Sequence, residues 1–188
     1  MDERDAEARI DAALVHRALR DGDPRVFEIL VRRHQGLVRA QLRRLLGDDP
    51  ATADDLAQDT FVLAWRKLEQ FRVDARFGTW LYRITYTCFL RHLRSGRGQA
   101  LDLNDVEDAG TDANKPELAV DLDAALQRLS HNQRAAVLYC SQLGLSHEEA
   151  AVVLNMPLGS VKTHVLRGKT RLRQLLHDWA PNNERAKY

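Results

Sequence analysis

LGLSHEEAAVVLNMPLGSVKTHVLRGKTRLR, running from Leu143 to Arg173, reads as two helices joined by a tight turn. Ser146 followed by Glu149 is a capping box, so the spacing predicts a helix start there. Ala150, Ala151, Val153 and Leu154 give that helix a small apolar face, one that lets a second helix approach closely. Asn155, Met156 and Pro157 end it, because proline cannot continue a helix and the residues before it are driven extended. A second helix restarts near Leu158 to Ser160, with Val161, Val165, Leu172 and Leu175 at helical spacing for burial. Its other face carries Lys162, Thr163, His164, Arg167, Lys169 and Arg171, and no acid occurs between Ala150 and His177. A basic, hydroxyl-bearing second helix of a helix-turn-helix pair is what the major groove of DNA admits.

The rest of the chain is organised by charge. Over 188 residues the net charge is only +1, yet the charges are segregated. Arg76, Arg83, Arg91, Arg94 and Arg97 occur with no acid between Ala75 and Leu101. From Asp102 to Asp123 the sign reverses, with Asp102, Asp105, Glu107, Asp108, Asp112, Glu117, Asp121 and Asp123 against Lys115 alone. The segment after it is basic again. Such blocks suggest two nucleic-acid-facing modules joined by an acidic tether. Cys88 and Cys140 are isolated and lack metal-ligand spacing, so they read as small apolar helix residues without a disulfide. Nothing in the pattern calls for a metal or a cofactor. The charged start, MDERDAEAR, is unlike a signal peptide, and no apolar run reaches the ~20 residues a membrane span needs. The expectation is a cytoplasmic protein without membrane insertion.

Periodicity predicts an all-α chain. Ile10 to Arg20 forms one helix, stopping at Gly22. Asp23 with Pro24 caps a second, whose stripe of Phe27, Leu30 and Val31 continues past Gly36 into Leu37, Val38, Leu42, Leu45 and Leu46. Asp49 and Pro50 repeat the device for a third helix to about Leu68. A loop over Phe71 to Gly78 leads to a fourth helix from Thr79 to about Arg94. From Ser95 to Pro116 glycine, asparagine and acids replace the periodic pattern, which is linker composition. A second helical unit starts near Leu118. The expected division is a four-helix domain over 1–96, an acidic flexible linker over 97–117, a helix-turn-helix domain over 118–180 and a tail over 181–188.

Two further constellations carry chemistry. In the third helix, Asp54, Asp55 and Asp59 lie in the first turns, where the helix dipole favours negative charge. Gln58, Phe61, Val62 and Trp65 sit beside them, and an acidic patch rimmed by an aromatic suits docking on a basic partner helix. The fourth helix and its loop, FRVDARFGTWLYRITYTCFLRHLRSGR, interleave Phe71, Phe77, Trp80, Tyr82, Tyr86 and Phe89 with arginines. Rings that stack bases beside guanidiniums that hold phosphates suit single-stranded nucleic acid. Trp80, Ile84 and Leu90 fall near one face and read as core; Tyr82, Tyr86 and the arginines read as contact residues.

Several blocks together resemble a bacterial sigma factor of the extracytoplasmic-function group, the minimal kind with only the second and fourth conserved domains. They are Asp55-Leu56-Ala57-Gln58-Asp59-Thr60-Phe61, Phe77-Gly78-Thr79-Trp80-Leu81-Tyr82-Arg83-Ile84, Leu145-Ser146-His147-Glu148-Glu149-Ala150-Ala151 and Pro157-Leu158-Gly159-Ser160-Val161-Lys162-Thr163, with Arg167 and Arg171-Leu172. The resemblance covers nearly the whole chain, and the order and spacing of the blocks make it specific. It implies that Asp54, Asp55, Gln58, Asp59, Phe61, Val62 and Trp65 dock on the coiled coil of the largest subunit of core RNA polymerase. Arg76, Phe77, Tyr82, Arg83, Tyr86, Thr87, Arg91 and Arg94 would hold the melted −10 strand of promoter DNA. Ser160, Lys162, Thr163, His164, Leu166, Arg167, Lys169 and Arg171 would meet the −35 element, with Lys162, Thr163, His164 and Arg167 facing bases, Leu166 near a thymine methyl, and Lys169 and Arg171 on phosphates. The C-terminal domain would also sit on the polymerase flap, and an anti-sigma factor is the expected inhibitor. Extended, the tether from Arg97 to Leu118 reaches roughly 70 Å. Promoter elements one and a half to two turns apart lie on the order of 50–70 Å apart.

At two fourth-helix positions where family members often carry Asn and Asp, this chain has Thr87 and Arg91. Either the −10 preference differs or base contacts have moved to the preceding loop. An enzyme is not expected: His147-Glu148-Glu149 begins like a zinc-protease motif, but Ala151 stands where the second histidine belongs. The competing reading is a two-domain regulator that binds duplex DNA without polymerase; it leaves the acidic and arginine-rich helices without a role. An adaptor that binds polymerase without reading DNA leaves the basic helix without one.

Overall fold

The computed structural model describes residues 3–47, 49–72, 76–96 and 122–177. The expected acidic linker over 97–117 and the tail over 181–188 lie outside these residues. All regular elements among the described residues are helical, and the chain divides into two compact units.

In the first unit, α1 (Glu3–Asp21) ends where Gly22 turns left-handed (φ 61°) and donates its N–H to Ala18. Asp23 then accepts a hydrogen bond from the Arg25 N–H at 2.9 Å, with Pro24 opening α2 (Pro24–Leu46). α2 runs unbroken through Gly36, as expected, and buries Val26, Phe27, Leu30, Val38, Leu42 and Leu45. Asp49 caps α3 (Pro50–Arg66) through the Thr52 N–H at 2.9 Å, and those bonds hold its carboxyl below the usual range. α3 stops two residues earlier than expected and gives way to a 3₁₀ turn over Leu68–Gln70. α4 (Phe77–Gly96) starts two residues before the expected Thr79 and packs against α1, α2 and α3 together. Val15, Leu30, Leu42, Leu45, Phe77, Leu81 and Phe89 form the centre of this unit.

The second unit holds α5 (Leu122–Gln127), α6 (His131–Val137), α7 (His147–Leu154) and α8 (Leu158–His177). The Arg134 guanidinium donates to the carbonyls of Leu126, Gln127 and Leu129, and so ties α6 to the end of α5 and the turn after it. Burial lowers the pKa of this guanidinium to about 10. α6 widens into a π turn over Leu138–Gln142. The Ser146 capping box is formed, with Ser146 N–H to Glu149 Oε2 at 2.8 Å and Glu149 N–H to Ser146 Oγ at 3.1 Å. The turn after α7 is made by Asn155 itself, left-handed at φ 53°, with the Met156 N–H returning to Ala151; Pro157 only bars continuation.

Of the expected buried faces, Ala150, Val153 and Leu154 on α7 and Val161, Val165 and Leu172 on α8 are buried, while Ala151 and Leu175 are half-buried at their edges. The close helix approach falls elsewhere, between α6 and α8. A Cβ at Gly168 would stand 2.6 Å from Val137 Cγ2 and 3.3 Å from the Gln133 carbonyl oxygen. Ala125, Leu126, Leu129, Val137 and Leu172 form the core beside it. Both cysteines are free, Cys88 buried and Cys140 half-buried. Among the described residues no helix is long and apolar enough to cross a membrane.

Candidate nucleic-acid interface

The outer half of α8 is a continuous basic surface. Lys162, Thr163, Leu166, Arg167, Lys169, Arg171 and Arg173 are exposed, opposite the buried Val161, Val165, Gly168 and Leu172. Leu166 is 65% exposed, the most open large apolar side chain among the described residues. Ser160 and His164 are half-buried at the flank. Burial and, secondarily, the charge of Arg167 lower the pKa of His164, so it is neutral near pH 7. The Thr163 hydroxyl donates to the Gly159 carbonyl at 2.9 Å, leaving its oxygen as an acceptor.

α4 separates what the sequence interleaves. Arg83, Arg91 and Arg94 are exposed and Thr87 is half-buried, at the spacing of one helical stripe. The rings face the other way: Phe77 is 1%, Tyr82 8% and Tyr86 2% exposed. This corrects the expectation that Tyr82, Tyr86 and Phe77 offer stacking faces to a strand. Three helices pack around α4, so only a narrow stripe stays in water and the large rings fill the rest. Burial accordingly pushes the Tyr86 hydroxyl well above its ordinary pKa. Of the rings expected in the core, Trp80 is half-buried and packs on Phe71 and Phe77 at centroid distances of 5.4 and 5.5 Å. Ile84 is buried and Leu90 half-buried. The Thr87 hydroxyl donates to the Arg83 carbonyl at 2.8 Å, so that side chain can only accept from a base. Arg76, just before α4, is exposed and paired with Asp5 at 3.2 Å.

The acidic helix is trimmed in the same way. Asp55, Gln58, Asp59 and Val62 are exposed at i, i+3, i+4 and i+7, one stripe of α3. Asp54 is engaged by Arg39 and Arg43 of α2 at 3.3 and 3.4 Å. Phe61 is buried, and Trp65, half-buried, packs against Phe27 at 5.1 Å. Asp54 and Trp65 thus engage α2 while Phe61 is buried, and the part of the expected docking face that stands fully in water is Asp55, Gln58, Asp59 and Val62.

Sequence reasoning missed one cluster altogether. Asp11 of α1 is 4% exposed and accepts hydrogen bonds from Arg33 Nε (2.9 Å) and His34 Nε2 (2.8 Å) of α2. Burial alone would raise its pKa, but His34 and Arg33 together lower it. The signal was present: Asp11 lies on the stripe of Val15 and Ala18, an acid where an apolar residue belongs.

Residues 30–99 match the family model described as Sigma-70 region 2, and residues 119–172 that described as Sigma-70, region 4. The RNA polymerase sigma factor NccH of Alcaligenes xylosoxydans xylosoxydans is 35% identical over 178 residues, covering 89% of this chain and 95% of the relative. The ECF RNA polymerase sigma factor SigM of Mycobacterium tuberculosis is 35% identical over 156 residues, covering 82% and 79%. Among solved structures, the sigma factor RpoE of Bartonella quintana, crystallised with its anti-sigma factor NepR, is similar with a TM-score of 0.65 and 29% identity, over 80% of this chain and 96% of that one.

Proposed function

The chain belongs to the sigma-70 family as an extracytoplasmic-function RNA polymerase sigma factor, an alternative factor that directs core polymerase to promoters, and from that premise we propose how its surfaces divide the work. The four-helix domain over 1–96 docks on polymerase and holds the −10 strand; the domain over 118–180 reads the −35 element; residues 97–117 tether them. The observation that carries this division is that each of three helices leaves one charged stripe in water: acidic on α3, arginine-rich on α4, basic on α8.

On α3, Asp55, Gln58, Asp59 and Val62 meet the basic coiled coil of the largest subunit, with Val62 supplying the apolar centre and the carboxylates its charged rim. On α4, Arg83, Arg91 and Arg94 lie along one line, which suits a single strand's phosphates; Arg76 joins them at the helix start. With Tyr82, Tyr86 and Phe77 inside, discrimination of unpaired bases falls to Thr87, the half-buried Trp80 and the loop before α4. On α8, Lys162 and Arg167 can donate to guanine O6 and N7, while Thr163 and Leu166 present apolar surface to thymine methyls. Lys169 and Arg171 anchor phosphates and fix the register. The factor acts in the cytoplasm, performs no catalysis itself, and is held inactive by an anti-sigma factor that covers these stripes.

The test is transcription by core RNA polymerase supplemented with the purified protein on genomic DNA, with start sites mapped by sequencing. Specific starts sharing −10 and −35 sequences are expected. Duplex binding without polymerase, and no specific starts with it, would instead identify a regulator independent of polymerase.

A further inference from the structure

The family model for region 2 begins at residue 30, so α1 lies outside it, and no role above uses this helix. Its buried carboxylate is nevertheless placed where it affects the promoter-facing surface. A carboxylate only accepts hydrogen bonds, so Nε2 of His34 carries the proton shared with Asp11 at 2.8 Å. That bond fixes the ring, whose Nδ1 is buried and makes no hydrogen bond. The ring edge meets Phe77, the first residue of α4, at 5.3 Å between centroids. A Cβ on the next residue, Gly78, would be 3.9 Å from His34 Cε1, so the Cα of Gly78 faces the imidazole across the space a side chain would fill. Phe77 in turn packs on Phe71 (5.7 Å) and Trp80 (5.5 Å). Nearer the start of α1, Asp5 reaches Arg76 at 3.2 Å.

We propose that α1 is the positioning element of the strand-holding surface: Asp11 locks Arg33 and His34, and His34 sets the first turn of α4 with Arg76 and the Phe71–Phe77–Trp80 cluster. This rests on the reading of α4 as the −10 grip. Asp11 and His34 touch no DNA; they act through Phe77 and Gly78. A buried hydrogen bond to a charged group is directional, so its loss lets the ring rotate, and the α4 start is free to shift with it.

The experiment measures three quantities for the holoenzyme: affinity of the factor for core polymerase, binding to a fork-junction DNA whose single strand carries a −10 sequence from the mapped start sites, and melting temperature of the free factor. Asp11→Asn and His34→Leu are expected to weaken fork-junction binding about tenfold while core affinity stays within about twofold. His34→Gln, whose amide can still donate to Asp11, is expected to restore most of the binding. Should Asp11→Asn fail to fold, the comparison of His34→Leu with His34→Gln decides alone. Equal fork-junction binding by His34→Leu and His34→Gln, or a parallel fall in core affinity and melting temperature, overturns the proposal. Arg83→Ala with Arg91→Ala separates the two levels. If that pair leaves strand binding unchanged, the α4 reading itself is wrong; if it abolishes binding while His34→Leu does not, only the role of α1 fails.

Discussion

Replacing Gly168 by alanine tests how α8 is aimed. Taken in isolation the change should stabilise, since alanine in a helix interior is favoured over glycine by about 1 kcal/mol. The packing says otherwise. The new Cβ would stand 2.6 Å from Val137 Cγ2 and 3.3 Å from the Gln133 carbonyl oxygen. Carbon atoms pack best at about 3.5–4.0 Å, so the first contact is roughly 1 Å too short. Val137 cannot turn aside, because a β-branched side chain in a helix has one strongly preferred χ1 and this one is buried in the core. The Gln133 oxygen is backbone and cannot move alone. The helices must therefore separate or tilt, at the ~1–3 kcal/mol typical of overpacking, which outweighs the propensity gain or at least cancels it. The assay is a double-mutant cycle read by amide hydrogen exchange of α6 and α8 in the full chain. Gly168→Ala alone is expected to lower protection, as is Val137→Ala alone, which empties core volume. Together they should recover, because the added methyl fills the space the valine vacates. Promoter-specific initiation should follow the same pattern. Unchanged or increased protection in Gly168→Ala, or additivity of the two changes, would refute the claim that this contact sets the α6–α8 distance.

Three other outcomes follow from the exposed stripes and the buried acid. Lys162→Ala and Arg167→Ala should each reduce initiation at −35-dependent promoters by about 1–3 kcal/mol while core affinity is retained, as measured by abortive initiation on promoters with and without the element. Asp55→Ala and Asp59→Ala should weaken core binding in a titration against polymerase, whereas Asp54→Ala should affect it less and instead loosen α3 from α2, seen as faster exchange along α3. The Asp11 carboxyl is held below its unfolded value because His34 and Arg33 outweigh burial. A lowered folded pKa contributes stability that is complete above the unfolded value, near pH 4, and is lost as pH falls through the folded one. Acid unfolding of the first unit should therefore be shallower in Asp11→Asn, and identical acid profiles for the two proteins would contradict the bond pattern.

Helix existence was legible because its signals act within a turn or two. Asp23-Pro24, Asp49-Pro50 and the Ser146–Glu149 box each cap through atoms two or three residues away, and the structure shows each bond formed. The basic face of α8 was legible too, since charge this dense cannot be buried. What sequence could not decide was which rings of α4 share the exposed side with its arginines, because the rings fall on several sides of the helix. Nor could it separate Asp54 from Asp55, which differ only in whether Arg39 and Arg43 reach them.

By itself, then, the sequence determined the local choices of six helices and the sign of each surface, since propensity, capping and charge are carried by neighbours in the chain. Only the tertiary structure decided which side chains of each helix face water. That depends on how many other helices surround it: α4 has three neighbours and keeps a single stripe of arginines outside, while α8 keeps its whole outer half free. Burial is a property of the assembly around a helix, and no periodicity along one helix can count its neighbours.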